Sequence, residues 1–447
     1  MGERYQAYPE YKDSGVEWLK MIPVSWSTSR LKRLVDQNRQ ITYGIVQAGP
    51  NIENGIPYIR PADMTDENGI KSYENLLRTS KDIAADYDRS KIKSGDIVCS
   101  IGPSFGKLMI TPESLDGANL TQGTARVAIS SENVARYYFW GLRSSSSFRQ
   151  WESGVGGATF RALNLGPLAD TQLAFPSKKE QECIANFLDY ETSKIDTLIE
   201  KQQQLIKLLK EKRKAVISHA VTNGLNPDAP MKDSGVEWLG KVPVHWQPLR
   251  FKHVLIEKKK TSNNNLNAGS ISFGNVVYKN SETLSDETKN SYQEVLAGEF
   301  LINPLNLNFD LISLRTALST LDVVVSTGYI VLKSNGRLVK KYIRWLLYEF
   351  DVAHMKTLGA GVRQTINYSD IGNSFFLEPS NDEQIQIANF LDHETAKIDA
   401  LIEKAYNAIG LMQERRTALI SAAVTGKIDI RNWTPPEQDK TNKENTL

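Results

Sequence analysis

One phrase occurs twice in this chain. Residues 11–26 read YKDSGVEWLKMIPVSW and residues 231–246 read MKDSGVEWLGKVPVHW, an offset of 220. A longer segment, EQECIANFLDYETSKIDTLIEKQQQLIKLLKEKRKAVISHAVT at Glu180–Thr222, returns as EQIQIANFLDHETAKIDALIEKAYNAIGLMQERRTALISAAVT at Glu383–Thr425, an offset of 203. Repeats on this scale limit the architecture before any single residue is read. The order is leader, block, long repeat, and then the same again. The two blocks, 27–177 and 247–380, are almost unrelated in sequence, yet their later parts keep landmarks at the 203 offset: Gly95 with Gly298, Asn164 with Asn367, Pro176 with Pro379. The 17 residues by which the offsets differ therefore lie in the first block ahead of Gly95. Each block is expected to be one fold carrying different loops.

The long repeats predict helices. Leu188, Ile195, Gln202, Leu209 and Val216 recur every seven residues, with Leu198 and Leu205 at the second seam position. The second copy places Leu391, Ile398, Ala405, Met412 and Leu419 on the same stripe, with Leu401 and Ala408 beside it. Such a stripe, surrounded by Glu and Lys, is the pattern of a coiled coil. Neither copy contains proline, and Gly410 is the single glycine of the pair. At 1.5 Å per residue each helix would be about 60 Å long. Two unrelated core helices are the bland alternative; the turn-rich TNGLNPDAP and TPPEQDKTNKENTL that follow the copies weigh against it.

Within the blocks, GDIVCSI, TARVAIS, TLDVVVSTGYIVL and DTQLAFP have the β-branched character and flanking turn residues of strands. VARYYFWGLRSSSSFRQW and VKKYIRWLLYEFDVAHM predict helices at corresponding places. The expected fold is thus two mixed α/β (α+β) domains joined by two long antiparallel coiled-coil helices in a pseudo-two-fold repeat. The divisions are a leader at 1–26, a first domain at 27–177, a central helix at 178–222, a linker and second leader at 223–246, a second domain at 247–380, a C-terminal helix at 381–428 and a disordered tail at 429–447.

Composition limits function only loosely. A chain of 447 residues accommodates two or three domains, and 40% hydrophobic with 24% charged residues is ordinary for a globular core. No apolar run reaches the ~18 residues of a membrane span, and the N-terminus lacks a hydrophobic export core. Cys99 and Cys183 are far apart and suit reduced thiols in the cytoplasm. A net charge of +2 leaves room for a basic face within a balanced total.

Catalytic signatures are near-misses. GPSFGKL at 102–108 has three residues between its glycines, and Leu108 stands where a phosphate loop needs Ser or Thr. NPLN at 303–306 lacks the second proline and the aromatic of an amino-methyltransferase loop, and SGVGGAT at 153–159 does not join a strand to a dinucleotide-binding helix. The five histidines are isolated, so no metal-ligand spacing arises. Binding chemistry is better represented. Arg143, Arg149 and Arg161 lie among Gly, Ser, Asn and aromatic residues in the first block; Lys258, Lys259, Lys260, Arg363 and Gln364 do so in the second. Arginine reads guanine edges, Asn and Gln read adenine, and lysine holds phosphates. Solvated arginines on flexible turns are the competing reading at each position.

At this point the leader DSGVEWLGKVPVHW, the P-x-x-x-E-Q-x-x-I entry at Pro176 and Pro379, and the EPSNDEQIQIANFLDHETAKIDALI segment resemble the specificity subunits of type I restriction–modification systems. Ser177–Lys179 and Ser380–Asp382 depart from the commoner Pro-Leu spelling. The resemblance covers nearly the whole chain. It implies that each block is a target-recognition domain reading one half of a split site in double-stranded DNA. The helices set the spacing and dock two modification subunits, which restriction subunits join. It also implies a non-catalytic chain without cofactor of its own, since S-adenosylmethionine, ATP and Mg are expected on the partners. Polar residues repeat between the helices as faithfully as apolar ones, which suggests the same partner on each copy; the docking candidates are Asn186, Asp189, Glu191 and Lys194 with Asn389, Asp392, Glu394 and Lys397. A coiled-coil assembly scaffold whose blocks bind protein is the alternative.

Overall fold

The computed structural model describes residues 5–66, 68–155, 162–279, 286–305, 314–358 and 365–436. The chain forms two compact units, one built from residues 1–202 with 407–447, the other from residues 203–406. The division falls inside both long helices, not at the ends of the sequence blocks. Each unit therefore combines a leader, a block, the first part of one long helix and the last part of the other.

Both units are assembled on one plan. In the first, the leader hairpin pairs Tyr11–Asp13 with Met21–Pro23, and strand Ser27–Arg30 closes the block against Gln172–Phe175. Between them lies a four-stranded antiparallel sheet in the order Thr42–Tyr43, Thr124–Val127, Ile97–Ser100, Leu108–Ile110. In the second, the leader pairs Met231–Asp233 with Lys241–Pro243, and Gln247–Arg250 closes against Phe375–Glu378. Its sheet runs Leu255–Glu257, Ile330–Ser334, Phe300–Ile302, Thr316–Leu318, the same order of first, fourth, second and third strand. Gly95 and Gly298 enter corresponding strands with φ of 87° and 86°, a conformation that costs any residue with a Cβ.

The blocks differ in what they add. The first carries a three-stranded sheet of Arg78–Thr79, Ile56–Ile59 and Asn119–Leu120, the last pair parallel. The second carries the hairpin Gly269–Ser272 with Asn275–Tyr278 and the pair Gln293–Val295 with Val323–Val325. The helix expected across 134–151 is two helices, Ala135–Leu142 and Ser145–Gly154. Ser144 makes the break: its hydroxyl donates to the Gly141 carbonyl at 2.6 Å and accepts from the Ser147 amide. A serine with these local partners competes with the helical ladder. The corresponding helix of the second block, Lys340–Ala353, is continuous.

The long helices run Lys178–Asn223 and Asn381–Val424, 46 and 44 residues. Within each unit their segments lie antiparallel. In the first unit Cys183 meets Ile430 while Asp196 meets Arg416; in the second, Arg213 meets Asp399 and Lys210 meets Tyr406. Their inner ends join the cores. Ile184, Leu188, Leu419 and Ala423 pack with Trp26, Leu31 and Tyr137 in one unit; Ile217, Val221, Ile387 and Leu391 pack with Trp246, Phe251 and Phe350 in the other.

The seam requires a correction. Leu188, Ile195, Leu391, Ile398 and Leu419 are buried, and Leu209, Val216 and Met412 partly so. However, Leu198, Leu205 and Leu401 are 51%, 43% and 49% exposed. Ile199, Ile206, Ile402 and Ile409 take the second position instead, with Ile206 6% exposed. A heptad stripe advances by three and then four residues, so from Ile195 both Leu198 and Ile199 are allowed. Adjacent apolar residues leave the choice to the partner helix.

Candidate nucleic-acid interface

The entry to each long helix explains much of the repeated polarity. Ser177 and Glu180 form a reciprocal cap: the Glu180 carboxylate accepts from the Ser177 hydroxyl at 2.8 Å, and the Ser177 oxygen accepts from the Glu180 amide. Ser380 and Glu383 repeat this at 2.7 Å. It is a capping box written S-x-x-E. The other carboxylate oxygen of Glu180 accepts from the buried Trp26 indole at 3.1 Å, and that of Glu383 from Trp246 at 3.3 Å and His245 at 2.9 Å. Gln181 and Gln384 bind the backbone amides of Val134 and Val339, each at 2.9 Å, and so tie block to helix.

Further along, Asp189 accepts from Trp140 Nε1 at 2.8 Å and pairs with Arg136 at 2.7 Å. Asp392 accepts from Trp345 Nε1 at 3.0 Å. Asp196 pairs with Arg416 at 2.8 Å and Asp399 with Arg213 at 2.9 Å, the same contact at the 203 offset with donor and acceptor helices exchanged. Repetition of these side chains is thus met inside each unit: Asp189 and Asp392, docking candidates by sequence, also anchor tryptophans of the blocks. Glu191 is buried, and Glu394 pairs with Lys397 at 2.7 Å. Lys194 lies over the Tyr190 ring at 4.8 Å, and Asn186 and Asn389 are exposed.

The basic candidates divide. Arg143 donates to the Asp66 carbonyl at 3.1 Å and sits over the Phe139 ring, while Arg149 is exposed on the neighbouring helix. Lys258 is not available to DNA: its ammonium is clamped between Glu294 at 3.0 Å and Glu299 at 2.9 Å, with 8% of the side chain exposed. Both residues follow the strand Leu255–Glu257, and the two glutamates draw Lys258 in while Lys259 stays exposed. Lys260 donates to the Thr327 carbonyl at 3.0 Å and is exposed. Arg161, Arg363 and Gln364 lie outside the described residues. The glycine-rich turn at 102–106 holds Lys107 against Asp66 at 3.1 Å and the Met64 carbonyl at 3.2 Å, so that lysine is already engaged. Among the described residues no cluster of His, Cys, Asp and Glu could hold a metal, and no helix is long and apolar enough to cross a membrane.

Comparison with known proteins locates this plan. Residues 23–208 match the family model of the type I restriction modification DNA specificity domain. The EcoBI specificity subunit of an Escherichia coli type I restriction enzyme is 30% identical over 183 residues, 41% of this chain and 38% of the relative. The chain thus spans under two fifths of the length of that relative. Among solved structures, a chain from work on complex assembly and conformational transition of the type I R-M system superposes with a TM-score of 0.68 at 14% identity, covering 91% of this chain and 99% of that one. The HsdS subunit from Thermoanaerobacter tengcongensis gives 0.52 at 16% identity, covering 91% and 98%. At such identities the likeness is one of fold.

Proposed function

We infer that this chain, a relative of the specificity subunits of type I restriction–modification systems, is the subunit that addresses such a complex to DNA. The carrying observation is one frame built twice around two dissimilar blocks. Leader hairpin, capped helix entry, sheet order and Arg–Asp contact recur in both units, while the surfaces they hold differ. Such a design suits a bipartite duplex target whose halves have unrelated sequences. Each block reads one half, and the helices keep the halves at a fixed spacing.

Chemistry belongs to the partners in this reading. Two modification subunits supply S-adenosylmethionine and adenine methylation, and restriction subunits supply ATP-driven cleavage, in the cytoplasm. Leu198, Leu205, Leu208, Leu401 and Leu411 leave apolar side chains open on the long helices. These and the exposed Asn186 and Asn389 are the positions at which modification subunits dock. Mapping of methylated adenines in a host with and without the gene tests the function. A split site should appear with the gene, and exchange of residues 27–177 for another recognition block should change one half only. An unchanged methylation map, with all subunits expressed, would leave the assembly-scaffold reading.

A further inference from the structure

In the unit formed by residues 203–406, a cleft of about 470 Å³ opens between the 269–278 hairpin, the Lys340–Ala353 helix and the long-helix segments. Lys210, Arg213, Lys214 and Arg344 line it with one lining carboxylate, Asp399, which Arg213 pairs; Lys210 also donates to the Tyr406 hydroxyl at 3.1 Å, and Arg344 lies 3.8 Å from Asp392 at the cleft's edge. The corresponding cleft of the other unit sets three arginines against three carboxylates. Lys210 touches Tyr406 across the helix pair, but the pairing of the helices does not depend on this charge. At the 203 offset Lys210 and Lys214 become Gln413 and Thr417, and the second copy forms its antiparallel contact without them.

The hairpin tip adds an aromatic. Phe273 is 73% exposed, the most exposed large apolar side chain among the described residues. Its φ is 47° and that of Gly274 is 75°, as a two-residue hairpin turn demands. Asn or Asp is the ordinary occupant of such a position, and a bulky side chain there is strained. Phe273 therefore sits where folding does not favour it and where it buries little.

We propose that this cleft clamps the backbone of duplex DNA, with Lys210, Lys214 and Arg344 neutralising phosphates and Phe273 lying against the sugar and base edges at the groove wall. The proposal rests on the DNA-addressing function inferred above and adds an asymmetry to it: sequence-independent affinity comes more from the second block's unit than from the first. Lys210 and Lys214 stand one helical turn apart, on one face, so both can meet the same strand.

The test uses the full-length chain purified with its modification subunits and random-sequence duplex DNA over a salt titration. The double variant Lys210→Gln with Lys214→Thr installs residues the second copy already carries. It should lower affinity at least ten-fold and reduce the slope of log K against log salt by about 2, since each phosphate contact contributes ~0.9. Phe273→Asn should lower affinity with the slope unchanged. Lys241→Ala, an exposed leader lysine outside the cleft-lining set, should change neither. An unaltered slope in the double variant overturns the clamp while leaving the addressing function intact, and unaltered affinity in Phe273→Asn removes the aromatic contact. If the parent complex fails to bind duplex DNA at all, both readings fall.

Discussion

Glu383 is a small instance of how this fold uses charge. Burial works to raise the pKa of its carboxyl, but hydrogen bonds from Ser380, His245 and Trp246 outweigh it and hold the group below its ordinary value. The folded state therefore prefers the carboxylate. The resulting stabilisation is present above the unfolded pKa of about 4.5 and is lost as pH falls through the lower folded value. Glu383→Gln should cost about 1–2 kcal/mol at pH 7, and denaturant titrations should find that difference shrinking in acid. Lys258 has the opposite lesson. Its replacement by Met leaves Glu294 without its cation and Glu299 with Lys333 alone, and unfolding should become easier by about 3 kcal/mol. The salt dependence of DNA binding should be unchanged, which a base- or phosphate-contacting lysine could not satisfy.

At the scale of elements, the helix pair distinguishes neighbours in sequence. Leu205→Asp places a charge at a 43%-exposed position and should alter stability by no more than ~0.5 kcal/mol. Ile206→Asp buries an unpaired carboxylate and should cost several kcal/mol. Thermal melts of the two variants decide between the seam seen here and the one a heptad count from Leu188 suggests. Leu205→Asp should also weaken retention of modification subunits, because that leucine is assigned to their docking.

At the scale of the molecule, the reciprocal ion pairs make a statement about halves. Asp399 and Arg416 correspond to Asp196 and Arg213 at the 203 offset, and the observed contacts join Asp196 to Arg416 and Arg213 to Asp399. Two copies of a fragment spanning 223–447 can therefore pair antiparallel, each Asp399 meeting Arg416 of the other, as an isologous contact requires. Sedimentation should find a dimer weaker than the covalent pairing, since linkage removes an association cost of several kcal/mol. Arg416→Glu should dissociate it further, and adding Asp399→Lys should restore pairing. With modification subunits the dimer should methylate an inverted repeat of the second half-site.

Sequence alone determined the periodic and repeated features: two long helices, two leaders, two blocks of one plan, and the P-x-x-x-E-Q-x-x-I entry to each helix. These are local or self-referential, because a heptad stripe, a repeated entry motif and a duplicated segment are all visible along the chain. Tertiary structure decided what depends on a distant partner. Ile199 and not Leu198 faces the seam, Lys258 is neutralised by glutamates more than 30 residues away, and Asp189 and Asp392 anchor tryptophans from the blocks. The cationic cleft was equally hidden, for nothing near Lys210 and Lys214 in sequence marks a site until the hairpin bearing Phe273 is folded beside them. The physical reason is common to all of these. A side chain's type is written locally, but its desolvation and its counter-charge are supplied by residues that only folding brings near.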